Sequence, residues 1–314
     1  MVRHFFPKRP PIDEARTEEI VSRMRQELQQ GDFHAMADEE QGTDAWRESR
    51  KHRITATRVG SIVGVGYDDA VTMLRKWNLP LPSYALKFCQ YGQLHERDAD
   101  AAFMAVRKAF PAVYPEGVVS YPGLVVHSNG YFAGSPDGLI THEDGSKSVL
   151  EYKAPARKSI KDMTVRELEV RHHIYDVCGA IGMACPHSYF AQCQWNMWLN
   201  SACRAYFVTW IAANEPAVRD LGKGCYATPI GSVQVVEIPY DAGWVERARE
   251  KCELFFPKLL RHLALLEQGV LEPGEVEDEE GAGPVKAAAP ATAAPPAQSS
   301  LCLLYTSPSP RDWL

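Results

Sequence analysis

Asp137, Glu151 and Lys153 are the residues of this sequence best placed to do chemistry. They lie in Gly134-Ser-Pro-Asp-Gly-Leu139 and Leu150-Glu-Tyr-Lys153. Glu151 and Lys153 stand at i and i+2, a spacing that puts both on one face of a strand. Asp137 precedes Glu151 by thirteen intervening residues, at a Ser-Pro-Asp-Gly turn that ends a strand. Two carboxylates converging beside an ammonium crowd like charges together. With Mg2+ or Mn2+ the same groups become a hard-oxygen site next to a fixed positive charge. Such a site polarises a scissile phosphate, acidifies a bound water and stabilises charge building on phosphorus. The carbonyl of Tyr152 is a further oxygen donor. The plain alternative is a surface turn followed by an edge strand with two solvated charges, because a bare D…ExK pattern recurs by chance. Against it, the strand around Glu151 is otherwise apolar and closes at Pro155.

Several elements must position these groups. Residues 13–30 read as a polar helix with the narrow stripe Ile20, Met24 and Leu28, surface-packed or mobile. Thr57-Arg-Val-Gly-Ser-Ile-Val63 opens a short helix, with Thr55 or Thr57 as its cap. Residues 84–109 form an amphipathic helix with Leu94, Ala99, Ala102, Phe103 and Val106 on one side. Gly117–Val119, Leu124–His127 and Tyr131–Ala133 are short strands separated by Pro122-Gly123 and Asn129-Gly130. Ser148–Lys153 is the next strand, and 162–200 is helical in pattern with a break at Cys185-Pro186. Strands from Ala205 and Ser232 follow, then a closing helix over 241–268 anchored by Trp244, Ala248, Leu254 and Phe255. This order is mixed α/β: one domain over 41–270, a mixed twisted central sheet with helices on both sides and the site at its edge. An extension, 1–40, precedes it. The tail, 271–314, is acidic and then Ala/Pro-rich, a composition that builds no core, and its end, LCLLYTSPSPRDWL, resembles adapter or vector read-through.

The formal net charge of -6 does not exclude a nucleic-acid partner, because residues 271–314 hold seven acids against two bases. The remaining body is near neutral, and phosphate binding follows the local field. None of the eight cysteines forms a CxxC pair, so zinc and iron–sulfur sites are disfavoured and reduced, packed thiols are expected. No apolar run is long enough to span a membrane, and the N-terminus reads as neither signal nor transit peptide. The expected location is intracellular.

Around the three central residues the chain resembles the lambda-exonuclease and YqaJ-like viral recombinase family, a branch of the PD-(D/E)XK nucleases with a restriction-endonuclease-like core. Four blocks match in order: Asp44-Ala-Trp-Arg-Glu-Ser-Arg50 leading to Ile54-Thr-Ala-Thr57; Tyr91-Gly-Gln-Leu-His-Glu96; the Asp137 and Glu151–Lys153 pair of motifs; and Tyr189-Phe-Ala-Gln-Cys-Gln-Trp-Asn-Met-Trp198. The resemblance implies that Asp137 and Glu151 bind metal, that Lys153 is the catalytic lysine and that Glu96 binds a second ion. It implies that Gln192 holds the lysine or the attacking water, and that Arg50, Thr57 and Ser135 bind a terminal 5′-phosphate. Thr57 stands where the family pattern has serine, and Ala154 where cysteine is common. The implied activity is a Mg2+-dependent 5′→3′ exonuclease on duplex DNA ends in recombination or repair. The alternatives are a non-catalytic DNA-binding scaffold, or an endonuclease or RNase on the same core. A single-strand annealing protein and a homo-trimeric ring are the partners it suggests.

The residues also admit plainer roles. Glu96 shares a charged helix with Arg97, Asp98 and Asp100, and Arg50 lies in a basic run from Arg47 to Arg53. Gln192 and Gln194 could be ordinary polar helix positions. His95 reads as structural, His172-His173 as surface, and Trp46, Trp195 and Trp198 as core.

Overall fold

The computed structural model describes residues 10–154 and 188–277, apart from 67, 78, 81, 213, 214 and 223. His172-His173 and the segment before Ser188 lie outside these residues, as does the chain from 278 onward. In order, the elements are α1 (Glu14–Gln29), α2 (Phe33–Asp38), α3 (Asp44–Arg50), β1 (Ile54–Thr55), α4 (Ala56–Val63), α5 (Ala70–Lys76) and α6 (Ser83–Ala109). There follow β2 (Val118–Ser120), β3 (Val125–Val126), β4 (Phe132–Gly134), β5 (Gly138–Thr141) and β6 (Lys147–Lys153). The last are α7 (Ser188–Leu199), β7 (Arg204–Ile211), β8 (Arg219–Gly222), β9 (Cys225–Thr228), β10 (Gly231–Pro239) and α8 (Ala242–Glu267).

The fold is mixed α/β, with mixed sheets flanked by helices. Seven strands join in the order β2-β5-β6-β7-β10-β9-β8, and β1-β4-β3 form a small second sheet. β6 and β7 run parallel, whereas the other neighbours in the large sheet are antiparallel. A parallel pair needs a long crossover, and 154–203 supply it. Strand alternation sends Val149, Ala205 and Phe207 into a core shared with α4, α7 and α8. Leu150, Tyr206 and Val208 go into a second core under α6. Both faces of β6 are therefore buried, which explains its near-continuous apolar reading.

Several expected surfaces move. Ala99, Ala102, Phe103 and Val106 are fully buried on α6, but Leu94 is 72% exposed. Trp244, Ala248 and Phe255 anchor α8, whereas Leu254 faces solvent at 76%. Leu94 and Leu254 each lie off the buried arc, and apolar type alone did not reveal this. Ile20, Met24 and Leu28 are buried in the main core, and α1 is tied to α8 by Arg23–Glu267 and Glu14–Arg261 ion pairs. Leu271, Glu275 and Val276 are also buried, so packed chain continues past 271. Among the described residues, no helix is long and apolar enough to cross a membrane.

Candidate active site

Glu151 and Lys153 sit on an interior strand. β6 is third of seven, paired to β5 on one side and β7 on the other, which corrects the expectation of a site at the sheet's edge. The opening arises at a strand end instead. β5 begins pairing at Gly138↔Leu150, while β6 runs on to Lys153 beside β7. A Cβ at Gly138 would lie 2.9 Å from Leu150 Cδ1, so the leucine side chain packs closely over this position.

At this end Asp137 Oδ2 accepts the Tyr152 N–H at 2.6 Å, and Asp137 N donates to the Leu150 carbonyl at 3.1 Å. The N–H and C=O of one strand residue project to the same side, so the Tyr152 carbonyl also faces the side where β5 has ended. Asp137 thus joins the strand of Glu151 and Lys153 through the backbone of the residue between them.

Glu151 is fully buried and Lys153 is 7% exposed, which excludes two solvated charges on a surface strand. Lys153 Nζ donates to Glu151 Oε1 at 2.6 Å. Gln192 Nε2, on α7, donates to the same oxygen at 2.5 Å, and Asn196 Nδ2 approaches Oε2 at 3.4 Å. Gln192 and Asn196 are one helical turn apart, so α7 presents both amides to one carboxylate. The Lys153 ammonium also lies 5.1 Å from the Tyr189 ring centroid. A buried ion pair is costly to desolvate, and here it carries added hydrogen bonds. Cys193, next to Gln192, is buried, and burial with the nearby Glu151 charge holds its thiol well above the usual range.

On the opposite face the Tyr152 phenol donates to Asp100 Oδ1 at 2.7 Å, and the Tyr121 hydroxyl donates to Asp100 Oδ2 at 2.9 Å. Burial is the main cause of the raised pKa of Tyr152, so it stays a neutral donor. This ties α6 to the strand that carries Glu151. Glu96 stands one turn before Asp100 on α6, the helix covering the face away from the Glu151 side chain. Among the described residues no three His, Cys, Asp or Glu side chains gather into a metal-binding group. His95 pairs with Asp98 at 2.7 Å and stacks on Trp210, the structural role expected of it.

The residues assigned to a terminal phosphate come together in part. Arg50 is buried with its guanidinium carbon 4.2 Å from the Trp46 ring centroid. Trp46 Nε1 donates to Ser135 Oγ at 3.0 Å, two residues before Asp137. β1 runs parallel to β4 with Thr55↔Ala133 in register, so the N-terminal block lies alongside the Ser-Pro-Asp turn. Thr57 Oγ1 shares a 3.2 Å hydrogen bond with Thr55 Oγ1. Thr55 is the N-cap of α4 by backbone, but its side chain makes no capping hydrogen bond.

Gln194 is structural: its amide donates to the Pro239 carbonyl and accepts from Asp241 N, both at 2.8 Å. Sequence reasoning missed Asn196, Asp100 and Tyr121. Asn196 had a legible signal, the four-residue spacing from Gln192. The other two carry none without the fold.

Residues 45–202 match the model of the YqaJ-like viral recombinase domain, and the chain belongs to that family. No curated protein matches it. Among solved structures it is similar to an alkaline exonuclease of Laribacter hongkongensis, at 18% identity and a TM-score of 0.47, over 72% of this chain and 97% of that one. A phage-related exonuclease of Haemophilus somnus matches at 13% identity and a TM-score of 0.37, over 82% and 96%. The SOX protein of KSHV, solved in complex with RNA, matches at 10% identity and a TM-score of 0.40, over 81% and 77%.

Proposed function

We propose that this chain is a divalent-metal-dependent DNA nuclease, and that it acts as a 5′→3′ exonuclease on duplex ends in recombination or repair. The observation that carries the reading is the buried Glu151–Lys153 pair, held by Gln192 and adjoined by Asp137 where β5 ends. A fold keeps buried charges of this kind at a cost in stability, which favours a catalytic role over a structural one.

The donor set suits a small hard cation. Mg2+ is commonly held by one or two carboxylates, with water and substrate phosphate oxygens completing its sphere. Asp137, Glu151 and the Tyr152 carbonyl would hold the ion, and Glu96 would serve a second one. When bound, the metal polarises the phosphodiester and supplies a nucleophilic water. Lys153 places a positive charge beside the reacting phosphate and offsets the charge building on its oxygens. Gln192 and Asn196 fix Glu151, and the Asp137–Tyr152 hydrogen bond fixes the two carboxylates relative to each other. Arg50, Thr57 and Ser135 form the pocket for the terminal 5′-phosphate, which selects strand ends.

The test is digestion of linear and covalently closed circular duplex DNA with purified protein and Mg2+. Loss of the linear form alone, abolished by chelator, is the expected result. Equal loss of the circle would replace the exonuclease reading by an endonuclease one. No loss of either, with DNA binding retained, would leave a scaffold.

A further inference from the structure

The charged stretch of α6 divides on folding. Asp98 pairs with His95, whereas Asp100 accepts two phenols, Tyr152 at 2.7 Å and Tyr121 at 2.9 Å. The two bonds differ in setting. Tyr121 is 59% exposed, while Tyr152 is buried in the core under α6 with Ala99, Ala102 and Phe103. A phenylalanine ring would fill the same space in that core. The hydroxyl adds a short bond to a carboxylate, which is directional where apolar packing is not.

The bond matters because of where Tyr152 stands. β6 is paired with β7 as far as Lys153, but with β5 only as far as Leu150. On the open side the Tyr152 N–H is held by Asp137 Oδ2 at 2.6 Å, and the Tyr152 carbonyl faces the same way. Tyr152 is thus gripped by two aspartates, one on its backbone and one on its side chain. Asp100 holds the far end of the ring, a side chain's length from the backbone, so it restrains the turn of this strand end about its own axis. With β5 ended, no ladder on that side fixes this turn. The direction of the Tyr152 carbonyl and the seat of the Asp137 carboxylate both follow from it.

We propose that Asp100 is a positioning residue of the metal site: acting through the Tyr152 phenol, it holds the Tyr152 carbonyl and the Asp137 carboxylate in the arrangement that takes up a divalent cation. This rests on the reading of Asp137, Glu151 and the Tyr152 carbonyl as the ligands of that ion. Asp100 acts from the opposite face of the strand, and its effect is on how tightly the ion is held. Groups that orient metal ligands from behind commonly set affinity by about 10–100-fold.

The experiment measures Mn2+ binding by calorimetry without DNA, and the Mg2+ concentration giving half-maximal digestion of linear duplex. The proteins are the wild type, Asp100→Ala, Asp100→Asn, Tyr152→Phe, Tyr121→Phe and the double variant Asp100→Ala/Tyr152→Phe. Asp100→Ala and Tyr152→Phe should each weaken Mn2+ binding and raise the Mg2+ requirement about tenfold or more, with digestion recovering as Mg2+ is raised. The double variant should be no worse than either single one, because both break the same bond; losses that add would overturn the route through Tyr152. Asp100→Asn keeps an oxygen acceptor for the phenol and should recover most of the affinity. Tyr121→Phe removes only the exposed bond and should leave Mn2+ affinity near that of the wild type. A merely structural bond would lower Tm in chelator and leave Mn2+ affinity and the Mg2+ requirement unchanged. That result in Tyr152→Phe overturns the inference and keeps the metal site. A wild type that binds no Mn2+ overturns the metal site and the inference with it. Should Asp100→Ala not fold, Tyr152→Phe, which deletes one oxygen and keeps the ring, decides the question.

Discussion

Replacing Lys153 by methionine takes the ammonium from a carboxylate that is fully buried and 2.6 Å away. Gln192 and Asn196 still donate to Glu151, but neither carries charge. Breaking a buried pair by removing one partner typically costs about 3–5 kcal/mol. Set against a total stability of roughly 5–15 kcal/mol, that is a large fraction. For a domain of this size it corresponds to a fall in Tm of about 6–20 °C. Measured by thermal unfolding in chelator, the variant should show this deficit. One sign follows. Mg2+ should stabilise the variant more than the wild type, because the metal then replaces a missing cation instead of adding to one already present. Adding Glu151→Gln to Lys153→Met should recover most of the stability, since neither charge remains. Turnover on linear duplex should be lost in the single variant while DNA binding persists. A Lys153→Met protein as stable as the wild type in chelator, or one that still digests DNA at the wild-type rate, would refute the reasoning.

Arg50→Ala should remove most of the preference for 5′-phosphorylated ends, a loss of about 1.5–3 kcal/mol in relative transition-state stabilisation, while leaving Mg2+-induced stabilisation intact; rates on the two end types check it. In Gly134→Ala the new Cβ would collide with Asn196 Oδ1 and meet Leu199 Cδ1 at 2.8 Å, displacing the Asn196 amide from its place beside Glu151. Overpacking of this kind costs about 1–3 kcal/mol, and both Tm and turnover should fall; unchanged turnover would show that Asn196 is not needed in place. His262 is buried in α8 with its pKa lowered by desolvation, so the unfolded chain takes up the proton first and stability falls as pH drops below about 6.5. His262→Gln should flatten that part of the stability–pH curve, and an unchanged slope would discount the burial. Burial likewise keeps Cys193 a thiol, so a thiol reagent at neutral pH should label the exposed Cys203 and spare Cys193 in the folded protein; labelling of Cys193 at the rate of Cys203 would contradict its placement.

Local periodicity is enough to put Glu151 and Lys153 on one face, because strand alternation is a property of the backbone alone. It also gives α6 and α8 nearly to their ends, since long amphipathic helices declare themselves in sequence. β8 and β9 went unread, and so did β5, concealed in the turn that holds Asp137: these strands are short, and Asp220, Gly222 and Gly138 speak for turns. Apolar type alone was misleading at Leu94 and Leu254, because burial depends on which arc of a helix meets a neighbour. The deeper gap is in sequence distance. Whether β6 lies at an edge or in the interior depends on its parallel pairing with β7, made across a long crossover. The same docking brings Asn196 to Glu151 from 45 residues away, and Asp100 to Tyr152 from 52. The sequence by itself determined which groups could do the chemistry and that two of them share a face. Only the tertiary structure decided that those groups are buried and which amides hold them, because those contacts exist only once distant segments have packed.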